Sequence, residues 1–361
     1  MLKKNLITTL CLAAGLTGLT GVTAQTGSAS TLSGQTLQSC TAVTPETCSL
    51  AHKLGRGINM GNMLEAPREG DWGLRLDAPS IDRVAGAFKT VRVPVRWSNH
   101  ASASADATLD EVFATRVDQV IDALLAKGVY VILDMHHNSQ LFGDRLLPNE
   151  FGVDPAVMET RVVNMWRQIA LRYKDRSPKL LFELLNEPHG RMDGEPWNVL
   201  AARTLAAVRT SNPARTVLIG PSYWNNVRDL PKLRLPPDRN LIVSIHNYDP
   251  FEFTHQGVTY LPKPFPTGTT CCNAKQQQTM TNSLDAAVKW SQANGYPLHL
   301  GEFGANQSAD MASRETYTRF MRDEAERRSI GWTYWDFAAS YGVYSPKTGN
   351  WIEPIRRALL D

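Results

Sequence analysis

Leu180-Leu181-Phe182-Glu183-Leu184-Leu185-Asn186-Glu187-Pro188 is a short apolar run that stops at a polar pair and a proline. A continuous apolar run of this length reads as a strand buried on both faces, and its polar end reads as the point where chemistry begins. Seven runs of the same kind occur at Gly57-Ile58-Asn59-Met60, Thr90 to Trp97, Val129 to His136, Thr216 to Gly220, Leu241 to His246, Leu298 to Phe303 and Gly331 to Asp336. Between most of them lie segments of helical period. One example is Phe113, Val117, Val120, Ile121, Leu124 and Leu125, stopped by Lys127-Gly128 as a helix C-terminus should be. Eight strands alternating with helices predict an α/β protein, a (β/α)8 TIM barrel forming a single catalytic domain, rather than a doubly wound sheet. The connection from Pro221 to Pro237 is Pro-rich, weakly helical and the poorest fit.

Working outward, the chain has 361 residues, 42% of them apolar, and a formal net charge of +3. This excludes a disordered or coiled-coil protein, and the scattered charge leaves no footprint for nucleic acid or an anionic membrane. Residues 1–24 read as a signal peptide: Lys3 and Lys4, an apolar stretch from Leu6 to Leu19, then Val22-Thr23-Ala24 before Gln25. The expected location is therefore secreted, extracellular or periplasmic, with no membrane attachment after cleavage. Residues 25–50, rich in Ser, Thr, Gly and Gln, read as a flexible leader, and 51–361 as the barrel. Cys40, Cys48, Cys271 and Cys272 are disulfide candidates in an oxidising compartment. They allow a short N-terminal loop plus a vicinal bridge, or cross-pairings that staple the N-terminus to a later loop. They lack the paired spacing of a zinc site.

A barrel of this kind carries its chemistry at the C-terminal ends of its strands. There the sequence places Arg92-Val93-Pro94-Val95-Arg96-Trp97, Asp134-Met135-His136-His137, Asn186-Glu187-Pro188, His246-Asn247-Tyr248, Gly301-Glu302-Phe303-Gly304 and Trp335-Asp336. Glu187 on strand four and Glu302 on strand seven face each other across the ring. Carboxyls reaching inward to ~5–5.5 Å suit a double-displacement glycosidase, which needs one protonated acid and one ionised nucleophile. Arg92 and Tyr248 beside Glu302 are expected to keep it ionised. Arg92 also reads as an ion-pair partner of Glu183 or Asp134. His136 and His137, adjacent on a strand, point to opposite faces and do not suggest a metal site.

These motifs, from Gly57-Ile58-Asn59-Met60-Gly61-Asn62 through Trp335-Asp336-Phe337, resemble glycoside hydrolase family 5, the large cellulase family of retaining barrels. The resemblance implies Glu187 as acid/base, Glu302 as nucleophile and Asn186 on the sugar 2-hydroxyl. It also implies Arg92 and Tyr248 as partners of the nucleophile, His246 beside the acid/base, His136 facing the sugar and Trp335 as its platform. Neither a metal nor a cofactor is required. The stretch Leu64 to Gly73, with Trp72, resembles cellulases within that family.

Of nine tryptophans, Trp166, Trp290 and Trp332 read as core, whereas Trp72, Trp97, Trp197, Trp224, Trp335 and Trp351 fall at strand ends or in the following loops. Aromatic faces there suit pyranose stacking along a cleft, with Trp72, Trp97 and Trp224 as further candidates and Trp351 expected to cover the barrel. The expected function is a secreted, monomeric endo-β-1,4-glucanase acting on a β-linked polysaccharide. The alternatives are a relative acting on mannan, xyloglucan or mixed-linkage glucan, and a glycan-binding barrel without turnover.

Overall fold

The computed structural model describes residues 37–361. The eight apolar runs form eight parallel strands, closed into a barrel in which β8 pairs back onto β1. They are β1 (Arg56–Asn59), β2 (Thr90–Val95), β3 (Tyr130–Met135), β4 (Leu180–Glu183), β5 (Val217–Ile219), β6 (Leu241–His246), β7 (Leu298–Glu302) and β8 (Gly331–Tyr334). Every residue of β2, β4, β5, β6, β7 and β8 is buried, as expected of strands covered on one face by helices and filled on the other by side chains. A minor hairpin pairs Tyr344–Ser345 with Asn350–Trp351.

The helices start where a side chain satisfies their free amides. Asp110 accepts from Val112 and Phe113 N–H to open Glu111–Ala126, and Asn273 with Gln276 forms a capping box at Ala274–Asn294. Helix Glu111–Ala126 ends as its periodicity predicts, with Gly128 at φ 80 just beyond. The weak fifth connection holds only a left-handed turn, Ser222–Asn225, and a 3-10 segment, Val227–Lys232.

Two expectations change. The strands end earlier than their apolar runs: β4 stops at Glu183, so Glu187 stands on the following segment, and Trp97 lies in a 3-10 turn, Trp97–Asn99. The leader read at 25–50 is also packed structure from residue 37 onward. Gln38 is bonded through its amide to Ser329 O and Leu298 N, both at 2.5 Å. Helix Pro45–Leu54 is capped by Thr44, and the Thr44 and Thr47 hydroxyls reach Asn240 Oδ1 at 3.2 and 3.1 Å. Ser and Thr here are caps and anchors, not linker. Residues 1–24, read as a signal peptide, and 25–36 of the leader lie outside the described residues.

Cys40 bonds to Cys48 and Cys271 to Cys272, which is the local of the possible pairings. No helix among the described residues is long and apolar enough to cross a membrane.

Ala51 and Leu54 of the N-terminal helix plug the barrel floor against Ile132, Leu181, Leu218 and Ile242, all with no exposed surface. Truncating Leu54 to Ala leaves a cavity in that floor. We expect it to cost about 2–5 kcal/mol, seen as a lower urea midpoint at unchanged slope. A midpoint equal to wild type would mean that the helix is dispensable.

Candidate active site

Arg92, on β2, is wholly buried in the barrel mouth and spends its full guanidinium there. Nε donates to Glu183 Oε2 at 2.6 Å, and Nη1 to Asn59 Oδ1 at 2.9 Å and Glu302 Oε1 at 2.8 Å. Nη2 donates to Asn186 Oδ1 at 2.8 Å and pairs with Asp134 Oδ2 at 3.1 Å. Both ion-pair partners expected for Arg92 are therefore present, in addition to the glutamate of β7.

Glu302 accepts from Arg92 on one oxygen and from the Tyr248 hydroxyl, at 2.8 Å, on the other. Glu187 lies across from it. It adopts φ 48, a left-handed conformation rarely taken by a non-glycine residue outside functional turns, and this turns its side chain into the mouth. His246 stands between the two glutamates. Its Nδ1 is 2.8 Å from Glu187 Oε1 and 3.7 Å from Glu302 Oε2. Asn225 Nδ2 lies 3.3 Å from His246 Nε2 and donates to it, which puts the imidazole proton on Nδ1, directed at Glu187. A register shift between Ile245 and His246 in the β6–β7 pairing sets this geometry. Gly301 permits it, because a Cβ there would lie 2.8 Å from His246 Nε2.

Donor atoms of Glu187, His246 and Glu302 all lie within 4.8 Å of one another. That spacing would also suit a cation, but both oxygens of Glu302 are already engaged by Arg92 and Tyr248. Burial pushes the carboxyls of Glu187 and Glu302 up to about 7 each. His189 and Arg92 pull Glu187 down, and Arg92 and the Tyr248 hydroxyl pull Glu302 down. Sequence reasoning anticipated the contacts that favour an ionised Glu302 but not the burial that opposes them. The pair holds a proton near neutrality, and with two donors on Glu302 that proton belongs on Glu187. Burial also holds His246 down to about 4, so it is neutral.

Trp335 follows β8 and lies flat beneath the mouth. It stacks on His136 with ring centres 5.3 Å apart and an interplanar angle of 4°, and a Cβ on Gly61 would meet its ring at 2.8 Å. His136 is fixed by Asp134 at 2.5 Å and faces Asn186 at 3.4 Å. Because β3 ends at Met135, His137 does not alternate away as strand geometry implied. It meets Trp72 edge-on at 5.9 Å.

Trp72 and Trp224 are exposed by 37% and 44%. Trp224 stacks on His189 at 4.6 Å, and His189 Nδ1 donates to the Glu187 carbonyl at 2.6 Å. Trp97 and Trp197 are corrections. Trp97 has no exposed surface and packs edge-on to Phe113, so it offers no face to a sugar. Trp197 is buried in helix Glu195–Arg209, its indole N–H bonded to Gly220 O. Trp351 packs among Phe88, Phe337 and Tyr344 as a cover. The sequence reading missed Asn59, His189 and Asn225. Of these only His189, two residues after Glu187, carried a signal.

Residues 64–340 match the model of the cellulase family, glycosyl hydrolase family 5. The chain belongs to glycosyl hydrolase family 5. Among its relatives, Endoglucanase H of Acetivibrio thermocellus is 35% identical over 319 residues, covering 86% of this chain and 33% of that protein. The chain thus spans about a third of that relative's length. Endoglucanase A of Clostridium longisporum is 25% identical over 402 residues, covering 99% and 72%. A solved hyperthermophilic endo-β-1,4-glucanase in complex with substrate superposes with a TM-score of 0.82 at 35% identity, covering 87% of this chain and 99% of that one. Cel5A of Thermotoga maritima in complex with cellobiose gives 0.81 at 38%, covering 86% and 99%.

The buried titrating groups of this family 5 barrel dictate its response to pH. Glu187, Glu302, Asp134 and Asp336 are raised by burial from ordinary values of 3.8–4.5 to about 7, and Glu65 to about 8. Stability from such groups is complete below their ordinary values and is lost as pH rises toward 7–8. His246 and His299, lowered by burial from 6.5 to about 4 and 3, act oppositely, since their contribution is lost as pH falls below 6.5. The two sets cancel in part at acid pH. From pH 6.5 to 8 the carboxyls dominate, and His189, held above 6.5 against burial by its bonds to Asp144 and the Glu187 carbonyl, adds in the same direction. We expect the unfolding free energy to fall across that window and then level. Denaturant titrations at half-unit intervals check this, and a rise would contradict the assigned burial.

Proposed function

We propose that the protein is a secreted endo-β-1,4-glucanase that cleaves β-glucan with retention of configuration, Glu187 acting as acid/base and Glu302 as nucleophile. The observation that carries this reading is that an oxygen of Glu187 lies within 4.8 Å of an oxygen of Glu302. So close an approach favours the ~5–5.5 Å separation of double displacement over the ~6.5–9.5 Å that leaves room for water in an inverting site.

In the first step a Glu302 oxygen attacks the anomeric carbon, the glycosidic C–O bond breaks, and Glu187 gives its proton to the leaving oxygen. A glycosyl ester results. In the second step water attacks the same carbon, the ester bond breaks, and Glu187 takes the proton of the water, restoring both carboxyls. The His246 Nδ1–H on Glu187 Oε1 leaves Oε2 to carry the transferable proton. Esterification removes the charge of Glu302, so Glu187 more readily releases its proton and becomes the base. Asn186, tied to Arg92 and His136, is aimed at the sugar 2-hydroxyl, with Trp335 beneath the ring.

Trp72 against His137 and Trp224 on His189 add exposed aromatic faces near the mouth and favour a chain bound across the cleft, hence endo action. Relatives bearing the name endoglucanase support glucan as the substrate. A second structure of the Thermotoga enzyme, with mannotriose, makes mannan the alternative to test. Secretion is supported by the N-terminal sequence pattern and by two disulfides. We take the acting unit to be a monomer.

Glu302→Gln is expected to lower kcat on an aryl cellobioside by roughly 10³-fold or more. Glu302→Ala with azide should yield the α-glycosyl azide, because the anion enters from the vacated side. Wild-type turnover in the Gln variant would overturn the mechanism. In a panel of carboxymethylcellulose, mixed-linkage glucan, xyloglucan, glucomannan and mannan, cleavage of mannan alone would overturn the substrate.

A further inference from the structure

Outside the catalytic mouth, a cavity of about 350 Å³ opens between the segment after β5 and helix Ala274–Asn294. Ser283, Ala286 and Trp290 line it from one face of the helix, at spacings of three and four residues. Arg228 and Asp249 line the facing side. The Arg228 guanidinium sits 3.4 Å over the centre of the Tyr223 ring, which fixes its direction. Among the described residues neither the Arg228 guanidinium nor the Asp249 carboxylate makes a hydrogen bond or ion pair. By contrast, neighbouring Asp229 is satisfied by Ser222 at 2.6 Å and Lys232 at 2.7 Å. Trp290, which its helical position assigned to the core, is only partly covered there.

We infer that this cavity is a second glycan-binding site, distinct from the catalytic mouth, that takes a neutral β-glucan chain. The inference rests on the β-glucan reading given above. An unpaired cation and an unpaired anion in one small cavity disfavour a charged ligand of either sign, which would always face one like charge. A hydroxyl-rich neutral ligand satisfies both: the Asp249 oxygens accept from sugar hydroxyls, Arg228 donates to ring or hydroxyl oxygens, and the indole of Trp290 offers a face to the ring. The volume lies at the small end of the ~300–1,000 Å³ of ligand pockets and accommodates roughly one or two pyranose rings. The site adjoins the cleft through consecutive residues. Tyr223, beneath Arg228, meets Trp224 edge-on at 4.7 Å, and Asp249 follows Tyr248.

The test compares Glu302→Gln with the same protein carrying Arg228→Ala and Asp249→Ala, using adsorption to amorphous cellulose and calorimetry with cellohexaose. The added pair should weaken adsorption about tenfold, near the loss of one charge-assisted hydrogen bond, and lower the stoichiometry from two cellohexaoses to one. In the otherwise wild-type enzyme, the same pair should leave kcat/KM on an aryl cellobioside unchanged. Asp249→Asn, of the same shape, guards against loss of fold and should weaken adsorption in the same direction. A wild-type enzyme that cleaves no β-glucan overturns the underlying reading. A competent enzyme whose cellulose affinity is unchanged in the double variant overturns the second site alone. Equal losses on the aryl cellobioside and the polymer overturn it too, since the residues would then belong to the cleft.

Discussion

The Arg92 guanidinium is the interaction on which the mouth of the barrel depends. From β2 it reaches Asn59 on β1, Asp134 on β3, Glu183 and Asn186 on and after β4, and Glu302 on β7. A buried cation of this kind is tolerable only if every donor is met, and here every donor is. Asp134, Glu183, Glu187 and Glu302 gather around one arginine, while His136 and His246 are kept neutral by burial. Burial is the main cause that raises the carboxyls of Asp134, Glu187 and Glu302; Arg92 lowers all three, and a neighbouring carboxylate adds a smaller upward push to each. Burial thus keeps a proton in the mouth near neutrality, the condition that the proposed acid/base pair requires.

Regular strands alone would not bring these groups together. β4 carries Glu183 into the ion-pair cluster and then ends. The path to Glu187 turns through a left-handed φ, and the β6–β7 register slips where His246 meets Glu302. Local irregularity is therefore concentrated on one rim, whereas the floor, closed by Leu54 and Ala51, is apolar and regular. The division follows the usual separation of barrel function from barrel stability.

Strand order and the two glutamates were legible in the sequence because an apolar run and its polar end are local signals. Side-chain direction beyond a strand end is not local. Trp97 and Trp72 both lie in segments that follow strands, yet one is enclosed against Phe113 while the other stands exposed against His137. The Ser/Thr-rich stretch before Ala51 misled for a related reason. Composition cannot distinguish hydroxyls that bind water from hydroxyls that cap a helix and anchor it to Asn240. Disulfide pairing, open in the sequence, depends on where the chain brings the cysteines.

The weak fifth connection shows why a barrel gives up a helix. Tyr223, Trp224 and Asn225 have φ values of 57, 58 and 53, an uncommon run of left-handed residues without a glycine. Each step turns a side chain toward a different task. Asn225 points inward and fixes the tautomer of His246, and Trp224 lies outward on His189, which in turn holds the backbone of Glu187. Tyr223 supports Arg228 at the edge of the outer cavity. The backbone strain is retained because contacts to the mouth, the aromatic rim and the outer cavity are all set by one turn.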